Sequence, residues 1–234
     1  MSRFTTILWD VDDTLLDFSY SQRQALTACF RSLGREIREE ELCLYGQINN
    51  DYWRRLELGL VTREQLRTGR FTVFFRQLGL IGIDVEAFCR EYQDGLAHTF
   101  RFNDDALMIC RTLQKAVKQY AVTNGITYTQ RRKLELSGLA EVLDGVFISE
   151  EVGSPKPHRS FFDHCLAQIG EKDKSRILIV GDSVSSDIKG GMEAGIATCW
   201  YRTGEKSGAE NQADFVIDDL HQIYDLVGMD FPSP

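Results

Sequence analysis

The chain has 234 residues, 43% of them hydrophobic and 26% charged, with a formal net charge of −8. This is the make-up of a globular protein long enough to bury a sizeable core in one large or two small domains. The negative balance argues against a nucleic-acid backbone or an anionic membrane surface as partner, and no apolar run approaches the ~20 residues that cross a bilayer. Six cysteines stand without CxxC spacing, mostly in apolar segments, and read as reduced small hydrophobes rather than disulfide staples or zinc ligands. Residues 1–6 lead into the first strand without a signal-peptide pattern, so a cytoplasmic location is expected.

Taken in chain order, Phe4, Ile7, Leu8 and Trp9 supply β-favouring apolar mass for a buried strand, which ends abruptly in Asp10, Asp12 and Asp13. In an open α/β sheet the carboxyl ends of the strands are where ligands bind. Residues two apart in an extended segment project to the same side, so Asp10 and Asp12 emerge together. Two carboxylates that close repel by several kcal/mol at an effective dielectric of ~20. A site that keeps both ionised therefore calls for a divalent metal, although a turn and helix cap is the other reading of these acids taken alone.

The stretch 17–102 carries long amphipathic patterns and almost no β-type runs. Helices are expected over 23–33, 39–58, 63–78 and 84–97, separated by Gly34, Gly59 and the break at 79–82. From about residue 103 the pattern alternates: helix 106–118, strand 120–123, helix 128–137, strand 145–149, helix 160–169, strand 177–180, helix 187–194 and strand 197–200. Alternation of this kind means a parallel sheet with helices on both faces, which the first strand joins. The expected fold is α/β, with a core of residues 1–16 and 103–234 and an all-helical insertion at 17–102.

Three further groups of polar residues fall at expected strand ends. Thr123 and Asn124 place a hydroxyl and an amide directly after a strand, with Gly125 permitting close backbone approach, a set that suits phosphoryl oxygens and also makes an ordinary turn. Lys156 sits between Pro155 and Pro157, which narrow its backbone freedom and suit a cation that meets developing negative charge with little reorganisation. His158 is expected to help cap the following helix. The apolar run 177–180 ends in Gly181 and Asp182, with Asp187 five residues on. Asp182 suits an oxygen-rich magnesium shell with Asp10 and Asp12, while Asp187 reads as a helix N-cap or as a holder of groups around the metal.

The ordered set Asp10-x-Asp12-x-Thr14, Thr123-Asn124, Lys156 before Pro157, and Gly181-Asp182 with Asp187 resembles the haloacid dehalogenase superfamily of phosphotransferases over nearly the whole chain. The resemblance implies a Rossmann-like core, a C1-type mobile helical cap inserted after the first motif, and Mg²⁺ as cofactor. By it, Asp10 attacks phosphorus and forms an aspartyl-phosphate, while Asp12 protonates the departing alkoxide and later deprotonates the hydrolytic water. Lys156 and Thr123, with Asn124 and neighbouring backbone amides, hold the equatorial oxygens. The metal takes carboxylate oxygens of Asp10 and Asp182 and the backbone carbonyl of Asp12, supported by Thr14 and Asp187.

Residues 15–18, 69–71, 148–153 and 195–200 are similar to the branch of 5′-nucleotidases that prefer pyrimidine nucleoside monophosphates. The substrate so implied is a small phosphate monoester, a nucleoside monophosphate, with sugar phosphates, phosphoglycolate and acylneuraminate 9-phosphate as alternatives from related branches. Phe18, Asn49, Tyr52, Trp53 and Arg70 are candidates for gripping a base or sugar, since an aromatic face suits a pyrimidine ring and Asn or Arg meets its polar edge. Each also reads as helical packing or a solvated face. Three other functions compete. A 2-haloacid dehalogenase expels a stable anion and has no use for a second acid at position 12. A phosphoacceptor signalling module leaves the helical insertion unexplained, and a catalytically dead binding protein leaves the intact motifs unexplained.

Overall fold

The computed structural model describes residues 3–202 and 212–229; Met1 and Ser2, the first two of the stretch 1–6 read above, lie outside the described residues, as do 203–211 and 230–234. The chain divides into two compact units, Met1–Phe18 with Phe100–Pro234, and Ser19–Thr99.

The first strand, β1 (Thr6–Trp9), is followed by four helices: α1 (Phe18–Ser32), α2 (Glu39–Glu57), α3 (Arg63–Gln77) and α4 (Val85–His98). Helix α1 starts well before residue 23 because the Asp13 carboxylate accepts the Phe18 N–H at 3.0 Å and so satisfies a first-turn donor. Within the helical unit, Thr62 caps α3 by accepting the Gln65 N–H while the Gln65 side chain accepts the Thr62 N–H at 2.8 Å. Asp84 caps α4 through the Ala87 N–H at 3.0 Å. The buried faces meet in an aromatic core: Tyr45 stacks on Phe71 at 5.1 Å and Phe88 meets Phe75 edge-on at 4.8 Å, with Phe30, Phe74 and Tyr92 around them.

The other unit continues with α5 (Ala106–Leu113), β2 (Lys118–Thr123), α6 (Thr127–Leu136), β3 (Gly145–Ile148), α7 (Ser149–Val152), α8 (Arg159–Ile169), β4 (Ile177–Gly181), α9 (Lys189–Ala194), β5 (Ala197–Tyr201), β6 (Phe215–Ile217) and α10 (Ile223–Val227). Its six strands form one parallel sheet in the order β3-β2-β1-β4-β5-β6. The helix expected over 106–118 stops at Leu113; Lys118 instead opens β2, paired with Thr6 of β1. Strand β6, three residues long, and helix α10, five residues long, escaped the sequence reading because so few residues carry too little periodicity to register.

Both faces of the sheet are buried, and the period of two along each strand divides the side chains between them. Ile7, Trp9, Ala121 and Val180 pack with Ile109, Cys110 and Leu113 of α5 and with Ile223, Tyr224 and Val227 of α10. Leu8, Val122 and Ile179 pack with Phe161, Phe162 and Cys165 of α8. Where the chain leaves and re-enters this unit, the two segments are tied together: the Asp17 N–H donates to the Arg101 carbonyl at 2.9 Å and the Asn103 N–H to the Leu15 carbonyl at 3.1 Å. The six cysteines are all unpaired, and only Cys43 is exposed. No helix among the described residues is long and apolar enough to cross a membrane.

Candidate active site

Strands β2, β1 and β4 are neighbours in the sheet, so their carboxyl ends bring Thr123, Asp10 and Gly181 side by side. Asp10 follows β1 directly and stays in line with it, its N–H donating to the Val180 carbonyl at 2.9 Å. Its carboxylate is buried. One oxygen receives the Lys156 ammonium at 2.5 Å and the other receives the Thr14 hydroxyl at 3.2 Å. Thr14 in turn accepts the Asp182 N–H at 3.1 Å, so a single hydroxyl ties the loop after β1 to the loop after β4. The indole N–H of Trp200 on β5 donates to the Asp182 carbonyl at 3.0 Å and fixes the same turn from the far side.

Lys156 is 1% exposed. Its ammonium meets Asp10 at 2.5 Å, Asp187 at 2.7 Å and the Val122 carbonyl at 2.8 Å, three acceptors for three hydrogens. Its backbone is held by Asn124, whose amide donates to the Lys156 carbonyl at 2.9 Å and whose carbonyl oxygen accepts the Lys156 N–H at 2.8 Å; the following peptide bond to Pro157 is cis. The Asn124 side chain expected on a phosphoryl oxygen is thus occupied in placing Lys156. The Thr123 hydroxyl, almost fully buried, accepts the Gly125 N–H at 3.0 Å.

Asp187 is fully buried in a π-helical turn, Val184–Ile188, a local widening that recurs at functional sites. It does not cap α9, which starts at Lys189: one carboxylate oxygen meets Lys156 and the other accepts the Ser183 N–H at 3.1 Å. Gly181 makes room for it, since a Cβ at that position would lie 2.3 Å from the Asp187 carboxylate. His158 occupies the N-cap position of α8, but its side chain makes no capping hydrogen bond, contrary to expectation.

Oxygens of Asp10, Asp182 and Asp187 lie within 4.8 Å of one another. Burial pushes the Asp10 carboxyl up to about 7, with the neighbouring Asp187 adding to the rise and Lys156 opposing it. Burial raises Asp187 as well, again against Lys156. For Lys156, burial works against the charged form, but the two carboxylates outweigh it and hold the ammonium well above its ordinary range. One ammonium balances only part of the charge of three carboxylates, and an all-oxygen donor set of this kind fits a hard divalent cation. The side chains that converge are those of Asp10, Asp182 and Asp187; the Asp12 carboxylate points elsewhere.

Asp12 lies beside this cluster, and its carboxylate is held by α6. The buried Lys133 ammonium donates to one oxygen at 2.8 Å, and the Gln130 amide donates to the other at 2.6 Å. Neither residue was singled out from the sequence. The available signal was a helix whose buried positions, Thr129, Gln130, Lys133 and Leu134, are mostly polar. Of the candidates for substrate recognition, Phe18 lies in the sheet unit, its ring 5.6 Å from the Lys133 ammonium. Asn49 and Arg70, each 1% exposed, are in the helical unit and bond to each other at 2.6 Å. Tyr52 is partly buried against Gly69 with the Arg55 guanidinium 5.5 Å over its ring, and Trp53 is partly buried.

The profile of the haloacid dehalogenase-like hydrolases matches residues 4–195. The HAD-hydrolase YfnB of Bacillus subtilis is 32% identical over 98% of this chain and 98% of its own. A magnesium-bound crystal structure of YfnB, which shows interdomain movement in that protein, superposes with a TM-score of 0.91, covering 97% of this chain and 100% of that one at 31% identity. The pyrimidine 5′-nucleotidase YjjG of Escherichia coli is 31% identical over 94% of this chain and 96% of its own. The pyrimidine 5′-nucleotidase PynA of Streptococcus pneumoniae is 34% identical over 83% and 82%.

Proposed function

The chain belongs to the haloacid dehalogenase-like hydrolases, and from that premise we propose that this phosphoric monoester hydrolase is a magnesium-dependent 5′-nucleotidase for pyrimidine nucleoside monophosphates, with Asp10 as its nucleophile. The observation that carries the mechanism is the separation of two acids two residues apart. Asp10 is buried against Lys156 and Thr14 at the convergence of three strand ends, while Asp12 is held apart by Gln130 and Lys133. These separate environments support a reading in which Asp10 attacks and Asp12 moves a proton, the division of labour that phosphoryl transfer to a side chain and then to water requires. Two relatives described as pyrimidine 5′-nucleotidases, aligned over most of this chain, support the substrate class.

In the first step Asp10 forms a bond to phosphorus as the ester oxygen departs with the proton of Asp12. In the second, Asp12 takes a proton from water as the water oxygen bonds to phosphorus and the bond between phosphorus and the Asp10 oxygen breaks, releasing inorganic phosphate, freeing the Asp10 carboxylate and leaving Asp12 protonated again. Lys156, held in place by Asn124, presents fixed positive charge beside the nucleophile without reorganisation. The carboxylates of Asp10 and Asp182, with that of Asp187 adjoining, would hold a magnesium ion, and when bound it would supply further positive charge against the phosphoryl oxygens.

Phosphate release from UMP, dTMP, phosphoglycolate and a hexose phosphate, measured with Mg²⁺ and with chelator, tests the reading. Metal-dependent release from UMP and dTMP at least ~10-fold faster than from the others is expected, and Asp10→Asn is expected to abolish it, removal of a covalent nucleophile costing on the order of 10³-fold or more. Preference for phosphoglycolate or a sugar phosphate would overturn the substrate class, and full activity of Asp10→Asn would overturn the mechanism.

A further inference from the structure

Three observations on α6 and the turn before it concern the same carboxylate. Lys133 is fully buried, yet its ammonium reaches Asp12 at 2.8 Å, with the Phe18 ring 5.6 Å from it. Gln130, 2% exposed, donates to the other Asp12 oxygen at 2.6 Å. Gly125 leaves the space that Gln130 occupies: a Cβ there would lie 2.2 Å from the Gln130 amide nitrogen and 2.7 Å from the carbons next to it. Burying an ammonium and an amide is unfavourable unless each is hydrogen-bonded, so a helix that buries both toward one partly exposed carboxylate fixes that carboxylate firmly.

We propose that Gln130 and Lys133 are positioning residues for proton transfer by Asp12, with Gly125 the clearance that lets Gln130 reach it; the proposal rests on the reading of Asp12 as acid and base. Donors on both oxygens fix the carboxyl plane, leaving the remaining lone pairs to carry the transferred proton. During formation of the Asp10–phosphorus bond, the proton on Asp12 passes to the ester oxygen as the oxygen–phosphorus bond breaks. A carboxyl group free to rotate misses that oxygen for part of the time, and general acid catalysis is sensitive to such misplacement. A departing oxygen of low basicity needs little protonation, so the contribution of these residues depends on the leaving group.

The test is kcat/KM, which reports events up to ester cleavage, for phenyl phosphate and 4-nitrophenyl phosphate, two esters of similar shape whose departing oxygens differ in basicity. Asp12→Asn provides the reference pattern. For Lys133→Met, Gln130→Met and Gly125→Ala the expected loss is at least ~10-fold greater on phenyl phosphate than on 4-nitrophenyl phosphate, within the range general acid catalysis supplies. Circular dichroism establishes that each variant is folded. If Lys133→Met does not fold, Gln130→Met and Gly125→Ala carry the test, because neither strands a buried charge. Equal losses on the two esters, or none, in variants where Asp12→Asn does discriminate would overturn the positioning role alone. Absence of discrimination in Asp12→Asn itself would overturn the reading of Asp12 and the proposal with it.

Discussion

At Asp10 the role proposed for the residue is set against stability. Its carboxyl is raised from an ordinary 3.8 to about 7, chiefly by burial, so the folded protein holds that proton more tightly than the unfolded chain does. The sign follows from linkage: stability from this residue is full below about pH 4 and is lost as the pH rises toward 7, at about 1.4 kcal/mol for each step of one in pH. In the presence of a chelator, Asp10→Asn is therefore expected to be more stable than the wild type by a few kcal/mol at pH 8, with the gap closing toward pH 4. Urea unfolding across that range measures it, and a gap independent of pH would show that the buried charge is not its cause. A residue type in a motif was enough to single out Asp10. The sequence could not show that Asn124 turns both ends of its amide to the Lys156 backbone, because that pairing joins loops after two different strands.

Helix α2 carries the opposite case. Burial of Glu41 favours its neutral form, but the Arg38 N–H at 2.9 Å and the guanidinium groups of Arg35 and Arg38 outweigh it and hold the carboxyl below its ordinary 4.5. Stability from Glu41 is therefore present above that pH and is lost as the pH falls through the lowered value. Because both arginine side chains are partly solvated, Glu41→Gln is expected to cost only about 1–2 kcal/mol at pH 7. The cost should shrink as the pH falls below 4.5 and through the lowered value, as read from unfolding midpoints at pH 7 and at successively more acidic pH. Helical periodicity revealed α2 to within a residue or so of its observed ends, since its apolar stripe and the breaking glycine are local. The same periodicity carried α5 too far, because β2 begins wherever Lys118 finds Thr6 across the sheet, and that partner lies far away in sequence.

At the scale of the whole molecule, the acidic cluster is built from strand ends far apart in sequence and exists only in the folded chain, so any ion it held would be linked to folding. An ion bound at Asp10 and Asp182 in the folded chain alone stabilises it by ~2.7 kcal/mol at a hundredfold excess over Kd, about 5–10 °C in unfolding midpoint. Mg²⁺ is expected to raise the midpoint of the wild type by that amount and to leave Asp182→Asn nearly unmoved; equal shifts in both would place the ion elsewhere. The sequence by itself determined the α/β class, the helical insertion and the identity of the acids and lysine at the strand ends, because each of these is written in local periodicity and in abrupt breaks from apolar to charged residues. The tertiary structure decided which of those polar groups meet. It joined Asp187 to Asp10 and Asp182, turned the Asp12 carboxylate to Gln130 and Lys133, and paired Asn49 with Arg70 inside the helical unit. The physical reason is that a buried polar side chain takes whichever partner packing brings within hydrogen-bonding distance, and strand order and helix rotation, which no short stretch of sequence encodes, fix that distance.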